Sequence, residues 1–394
     1  MRRNRLHLSI AAWASLAMPA VASGGAPGRG LTVLYNFTAR GDGGYPQAAL
    51  IYHRGLLYGT TLIGGASSAG TVFAVNARTG AETVLHSFTG GADGASPIAG
   101  LVFAGSALFG TSSAGGAWNN GAVFKVDVRT GRERVIYSFK LGAHGADPHS
   151  ELILRGGALF GTTFGDGPAG RGTVFTVDPD SGRHAVLHNF KGHGDGANPV
   201  AGLLSQDKIL YGTTLYGGAW DNGTAFMLDP ATGAETVIHS FGAGSDGANP
   251  NAGLIDRGGR LFGTTVYGGA TGNGTVFRFD LAAARETTLY SFKGYQTAAN
   301  PLADGANPLS GLTDVGGRLF GTTSGGIACI SLPECGTVFS VNPVTGREKV
   351  YVDFSGRADG GKPYAGLIYH DGAFYGTTSQ GGASQWGTVF RFVP

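Results

Sequence analysis

The residues best equipped for chemistry stand together in one run, His144-Gly-Ala-Asp147-Pro-His149-Ser150-Glu151. A histidine beside carboxylates supplies the groups needed for general acid–base work or for holding a metal. Positions 147, 149 and 151 are two apart, so an extended strand would set Asp147, His149 and Glu151 on one side. Corresponding junctions elsewhere read Asp-Gly-Ala-Asn-Pro-x-Ala-Gly-Leu, so five positions depart from the script at once. His149, Glu151 and, from another junction, Tyr364 are the candidate catalytic residues. His144, Asp147 and His193 are candidates for ligand contact beside them. A local salt bridge is the competing reading of the same residues.

A second set is aromatic. Trp118, Trp220, Trp386, Tyr216 and Tyr267 lie in glycine-rich segments, with Asn119, Asn120, Asp221 and Asn222 beside them. Flat apolar faces next to short amides and carboxylates suit sugar rings. The alternative is that these rings pack between neighbouring repeats. Repeated polar residues point instead to structure. Asp-Gly recurs at Asp42, Asp93, Asp195, Asp246, Asp304 and Asp359 and is expected to close one kind of turn. Calcium has a weak claim there, because each copy offers one carboxylate where the ion takes ~6–8 oxygens. His86, His188 and His239 share one strand position and are expected to be packed. No phosphate loop, serine nucleophile elbow or zinc-binding helix motif occurs, and neither a cofactor nor a metal site is expected.

These residues are set in a repeat. Gly-Thr-Thr or Gly-Thr-Ser begins at Gly59, Gly110, Gly161, Gly212, Gly263, Gly321 and Gly376, a period of 51 residues lengthened to 58 and 55 at the last two steps. Each copy holds four short β-rich segments divided by turn signals, a four-stranded meander. The Asp229–Gly233 run suits a tight turn with glycine in the left-handed position. The chain opens at Leu31–Phe37 with a fourth-strand sequence and closes at Gly387–Phe392 with a third-strand one. The two ends complete one unit between them. The expectation is an all-β, seven-bladed β-propeller over 31–394, its ring closed by pairing the N-terminal and C-terminal strands. A linear solenoid gives no reason for such complementary ends.

Composition agrees. The 394 residues include 72 glycines, too many for a helical bundle and without the triplet period of collagen. A hydrophobic fraction of 42% is enough for a core. Residues 1–22 read as a signal peptide: Arg2, Arg3 and Arg5, then an apolar run from Leu8 to Met18, then Ala20-Val-Ala22. Residues 23–30 read as a linker. Without the three arginines the charge is 25 basic against 26 acidic residues, so nucleic acid is not an expected partner. The apolar run is too short to span a bilayer. A soluble, secreted or periplasmic monomer is expected, with a disulfide between Cys329 and Cys335, the two cysteines of the chain.

The phrases Gly-Thr-Thr-x-x-Gly-Gly-Ala, Asn-Gly-Thr-Val-Phe, Gly-x-Glu-Thr-Val-Leu-x-Ser-Phe and Asp-Gly-Ala-Asn-Pro resemble the GloVer tandem repeat of bacterial exported and surface proteins. The resemblance covers essentially the whole mature chain. It implies the fold and compartment, and it transfers no activity to any residue. Many such relatives carry a C-terminal sorting anchor, which is not expected here. In an up-and-down meander the two long loops of every unit emerge on one face. The functional expectation is therefore a binding or scaffold protein, holding a glycan or a cell-surface or extracellular partner on that face. The alternative is a polysaccharide lyase or glycosidase acting through His149 and Glu151. The insertion at 295–301 and the loop between the cysteines would wall the same face.

Overall fold

The computed structural model describes residues 30–242, 244–295, 300, 303–327 and 335–394. The signal peptide, most of the linker and Cys329 lie outside them, so the disulfide expectation does too; Cys335 is buried. The described strands form seven four-stranded antiparallel sheets, a seven-bladed propeller. Blade 1 contains β2 (Ile51–His53), β3 (Leu56–Thr61), β4 (Thr71–Asn76) and β5 (Glu82–Ser87), from the axis outward. Blades 2 to 6 repeat this order over 102–138, 153–189, 204–240, 255–291 and 313–354. Blade 7 takes β26 (Ile368–His370), β27 (Ala373–Thr378) and β28 (Thr388–Phe392) from the end of the chain and β1 (Leu31–Asn36) from its start. β1 lies antiparallel to β28, with Leu31 opposite Phe392 and Asn36 opposite Thr388. The complementary ends thus close the ring.

Burial explains the sequence of each strand. The third strand is covered on both faces by neighbouring blades, so Val72, Phe73, Ala74 and Val75 are buried without alternation. Each blade buries a phenylalanine on this strand, and another from the end of the preceding blade's fourth strand meets it. These pairs, Phe37–Phe73 through Phe354–Phe390, stand 4.9–5.2 Å apart with rings steeply inclined at all seven seams. Such contacts add ~0.5–1.5 kcal/mol each beyond area burial. A register shift between third and fourth strands recurs in every blade and increases the local twist.

The Gly-Thr-Thr motif ties blades together. The first hydroxyl donates to a carbonyl of the next blade, from Thr60 to Ala99 O round to Thr377 and Ala48 O, at 3.0–3.5 Å in all seven copies. In six copies the second hydroxyl meets a threonine of the third strand, as Thr61 meets Thr71 at 2.8 Å; blade 2 has Ser112 opposite Ala122 instead. The glycine of Asp-Gly lies against this pair. At Gly43, φ is +95° and a Cβ would stand 2.2 Å from Thr61 Oγ1, so no other residue fits.

Candidate functional site

A segment beginning Pro-x-Ala (Pro-x-Ser in blades 3 and 6) leads into the first strand of each blade and reaches the axis. Its opening residues line a cavity of about 740 Å³ that is entered from the long-loop face. That face is built rather than loose. In each blade the loop entering the first strand bridges the loop between second and third strands, as Ala95 bridges Ala114 and Ala248 bridges Tyr267. The residue after the invariant proline stands at the mouth of the cavity, and it differs in every blade: Gln47, Ile98, His149, Val200, Asn251, Leu309 and Tyr364. The sequence reading passed over this ring, although the x of the junction script was its signal.

Two positions further on, the strands crowd the axis. Ala49, Gly100, Gly202, Gly253, Gly311 and Gly366 occupy six blades and Glu151 the seventh. A Cβ on Gly253 would stand 3.2 Å from Gly202 O, so the backbones nearly touch there. Glu151 alone projects a charged side chain into this ring. Its carboxyl lies over Gly100, where an added Cβ would be 3.0 Å from Cδ and Oε2. Glu151 is exposed to the channel, and the strands packed around the axis partly desolvate it, which pushes its pKa up to about 7. A carboxyl group so placed holds a proton close to neutral pH.

His149 also lines the cavity. It stacks on Phe164 with centroids 5.1 Å apart, and Nε2 lies 2.8 Å from Asp147 Oδ1. No hydrogen bond joins His149 to Glu151 among the described residues. Asp147 takes φ +57°, so strand alternation holds only from His149 onward. Asp147 stays at the rim, while His149 and Glu151 share the cavity with Tyr364. Burial raises the Tyr364 pKa.

His144 sits elsewhere, in the turn after the fourth strand of blade 2, where its Nδ1 is 3.3 Å from the Tyr137 hydroxyl and its ring is 5.8 Å from His184. His193 is exposed in a short 3-10 turn, His193–Asp195. Of the aromatics, Trp118, Trp220, Tyr216 and Tyr267 are exposed, with Lys140 Nζ 5.3 Å from the Trp118 ring centroid. Trp386 instead packs edge-on against Tyr45 at 4.9 Å. Tyr267 lines a groove of about 490 Å³ that meets the axial cavity at Leu309 and Tyr364.

The Asp-Gly carboxylates do close turns: Asp93 accepts the Thr89 N–H at 2.8 Å, and Asp359 accepts that of Ser355 at 2.9 Å. They also face a fourth-strand side chain, as His188 faces Asp195 at 2.9 Å and Tyr35 faces Asp42 at 2.9 Å. Across five of the seams lies a glutamate of the next blade. Desolvation first, and then the neighbouring aspartate, push Glu82, Glu133, Glu286 and Glu348 to about 7 and Glu235 to about 8. The deviant seam replaces both acids with His144 and His184, and burial with the second histidine lowers His184 to about 4. The paired change of positions 144 and 184 was the signal that could have revealed this contact. His188, Asp195 and Glu235 bring ligand-type atoms within 4.8 Å of one another, the spacing of a possible cation site. Their place in a recurring seam accounts for them as packing.

The family profile of the Gloeobacter/Verrucomicrobia repeat matches residues 23–167, 109–328 and 302–394. The chain belongs to this family. No curated protein sequence matches it. Among solved structures, the fold is similar to the extracellular domain assigned to the hybrid two component system BT4673 from B. thetaiotaomicron (TM-score 0.60, 10% identity, 91% of this chain and 39% of that one). It is also similar to a chain of the mitotic checkpoint complex (0.56, 13%, 99% of both). An oligogalacturonate lyase in complex with manganese gives 0.54 at 13% identity, over 92% of this chain and 93% of that one. At these identities the likeness is one of fold. No helix among the described residues is long and apolar enough to cross a membrane.

Proposed function

We propose that this member of the repeat family is an exported binding propeller whose ligand, a glycan of the cell surface or its surroundings, sits at the long-loop mouth of the axial channel. The observation that carries this reading is the contrast within one chain. Prolines, threonines and glycines recur around the ring to hold the frame, while the seven side chains at the mouth are all different. Gln47, Asn251 and Tyr364 offer amide and hydroxyl groups between apolar Ile98, Val200 and Leu309. That mixture suits the polar edges and apolar faces of sugar rings.

The test is saturation-transfer NMR of the full chain against neutral and acidic oligosaccharides. Binding is expected, and the double variant Asn251→Ala/Tyr364→Ala should lose it. Val344→Ser, at an exposed turn on the opposite face, should keep it. Failure of every glycan to bind overturns the reading.

A catalytic reading has one specific support, the proton that Glu151 holds near neutral pH beside His149 in the same cavity. In a polysaccharide lyase or glycosidase, Glu151 would donate that proton to a leaving oxygen and His149 or Tyr364 would assist. An oligogalacturonate lyase is built on a similar fold, which is a fold-level analogy. New reducing ends formed by the parent and lost in Glu151→Gln would support it. Binding without cleavage leaves the binding reading alone.

A further inference from the structure

The groove that leaves the axial cavity between blades 5, 6 and 7 gathers several departures from the repeat. Lys362 stands where three other blades have asparagine. There, Asn198, Asn249 and Asn307 donate from Nδ2 to the carbonyls of Phe164, Leu215 and Val266 at 2.8–3.1 Å, strapping adjacent blades. Lys362 keeps the left-handed backbone, φ +49°, and its side chain lines the groove. Its ammonium makes no ion pair among the described residues, and the residue is half-buried.

Three tyrosines share the groove with it: Tyr267, Tyr295 and Tyr364. Tyr267 is 54% exposed and Tyr295 42%, so both present ring surface to a ligand. Tyr295 opens the insertion of blade 5 and lies over Gly325, where a Cβ would meet its ring and hydroxyl at 2.8–3.0 Å. In two other blades the Gly325 position is Tyr216 or Tyr267; here the absence of a side chain admits the inserted ring. The groove is thus a built combination of a cation and aromatic faces, continuous with the channel mouth.

We propose that this groove binds an acidic oligosaccharide, its sugar faces on the Tyr267 and Tyr295 rings and a ring carboxylate on the Lys362 ammonium. This deepens the glycan-binding reading and rests on it. A partly desolvated ammonium gains most from a full negative charge, which a neutral sugar does not offer. Tyrosine gives the ring face and a hydroxyl for the equatorial edge. A sulfate ester would offer the same charge, so the test must separate the two anions.

Isothermal titration of the full chain with trigalacturonate, its methyl ester, a sulfated galactose trisaccharide and a neutral galactose trisaccharide makes that separation. Trigalacturonate should bind at least about tenfold more tightly than its methyl ester, with the preference shrinking as salt rises. Lys362→Asn should erase the preference and leave weaker, salt-independent binding. Because that variant restores the residue of three other blades, the fold is expected to be retained, which circular dichroism checks. Lys362→Arg should restore the preference. Equal binding of acid, ester and neutral sugar overturns this inference and leaves glycan binding standing. Preference for the sulfated sugar alone overturns the carboxylate. No binding by any of the four, with none in the wider panel, overturns both.

Discussion

At the residue scale, Glu151 decides most. Six blades place glycine or alanine at its position because the strands converge on the axis, and the seventh admits a carboxyl group. The unfolded chain titrates such a group near ~4.3, whereas the folded channel raises it to about 7. The folded state therefore holds the proton more tightly between these values, and its advantage is present in acid and lost as pH rises through 7. Glu151→Gly, which restores the repeat residue, should leave stability unchanged near pH 4.5 and raise it above pH 7. With water in the channel screening the charge, the gain is expected to be about 1 kcal/mol. Urea titrations of parent and variant at both pH values measure it; an equal offset at both would refute the assignment. The sequence singled out Glu151 because it broke a pattern. It gave no sign that Asp147 would stay out of the cavity lining while pairing with His149, because the left-handed backbone before Pro148 is a property of the loop.

At the scale of elements, the repeat script was legible as strands and as a closed ring, because turn glycines and strand residues are local signals. What lay hidden were contacts between successive copies: Thr hydroxyl to the next carbonyl, Asp to the next Glu, Phe on Phe. Partners some forty residues apart leave no trace in the pattern of either strand, except where both change, as at His144 and His184. The threonine belt can be tested directly. Thr213 Oγ1 donates to Ala252 O at 3.1 Å in a fully buried seam. Thr213→Val keeps the shape and removes the donor, leaving a buried carbonyl unpaired, so about 1–3 kcal/mol of stability should be lost. Thr83→Val, on the partly exposed outer strand of blade 1, should cost less than about 0.5 kcal/mol. Equal effects in chemical denaturation would mean that the belt does not hold the blades.

For the whole molecule, the seams combine into a pH profile. Glu82, Glu133, Glu235, Glu286 and Glu348 all have folded pKa values of about 7 to 8, raised above the unfolded carboxylate range by burial and the adjacent aspartates. Each adds stability that is fully present below about pH 4.3 and drains away as pH rises through 7 to 8. His184 works in the opposite sense: lowered to about 4, it favours the folded state above about pH 6.5 and loses that contribution as pH falls through 4. Asp127, Asp178, Asp229 and Asp280 cap the turns of the opposite face, and the hydrogen bonds they accept lower their pKa values, so they too weaken the fold only in strong acid. Five raised glutamates outweigh one histidine over the neutral range, and because every blade packs on both neighbours, a weakened seam is felt around the ring. The thermal midpoint should therefore be highest near about pH 4 to 4.5 and fall as pH rises through 7 to 8. Glu235→Gln removes one titrating group and should make that fall shallower, while His184→Gln should extend stability on the acid side. A midpoint that stays level or rises from pH 5.5 to 8.5 would show that the seam carboxyls ionise freely and that the pairs across the blades are not what shapes the profile.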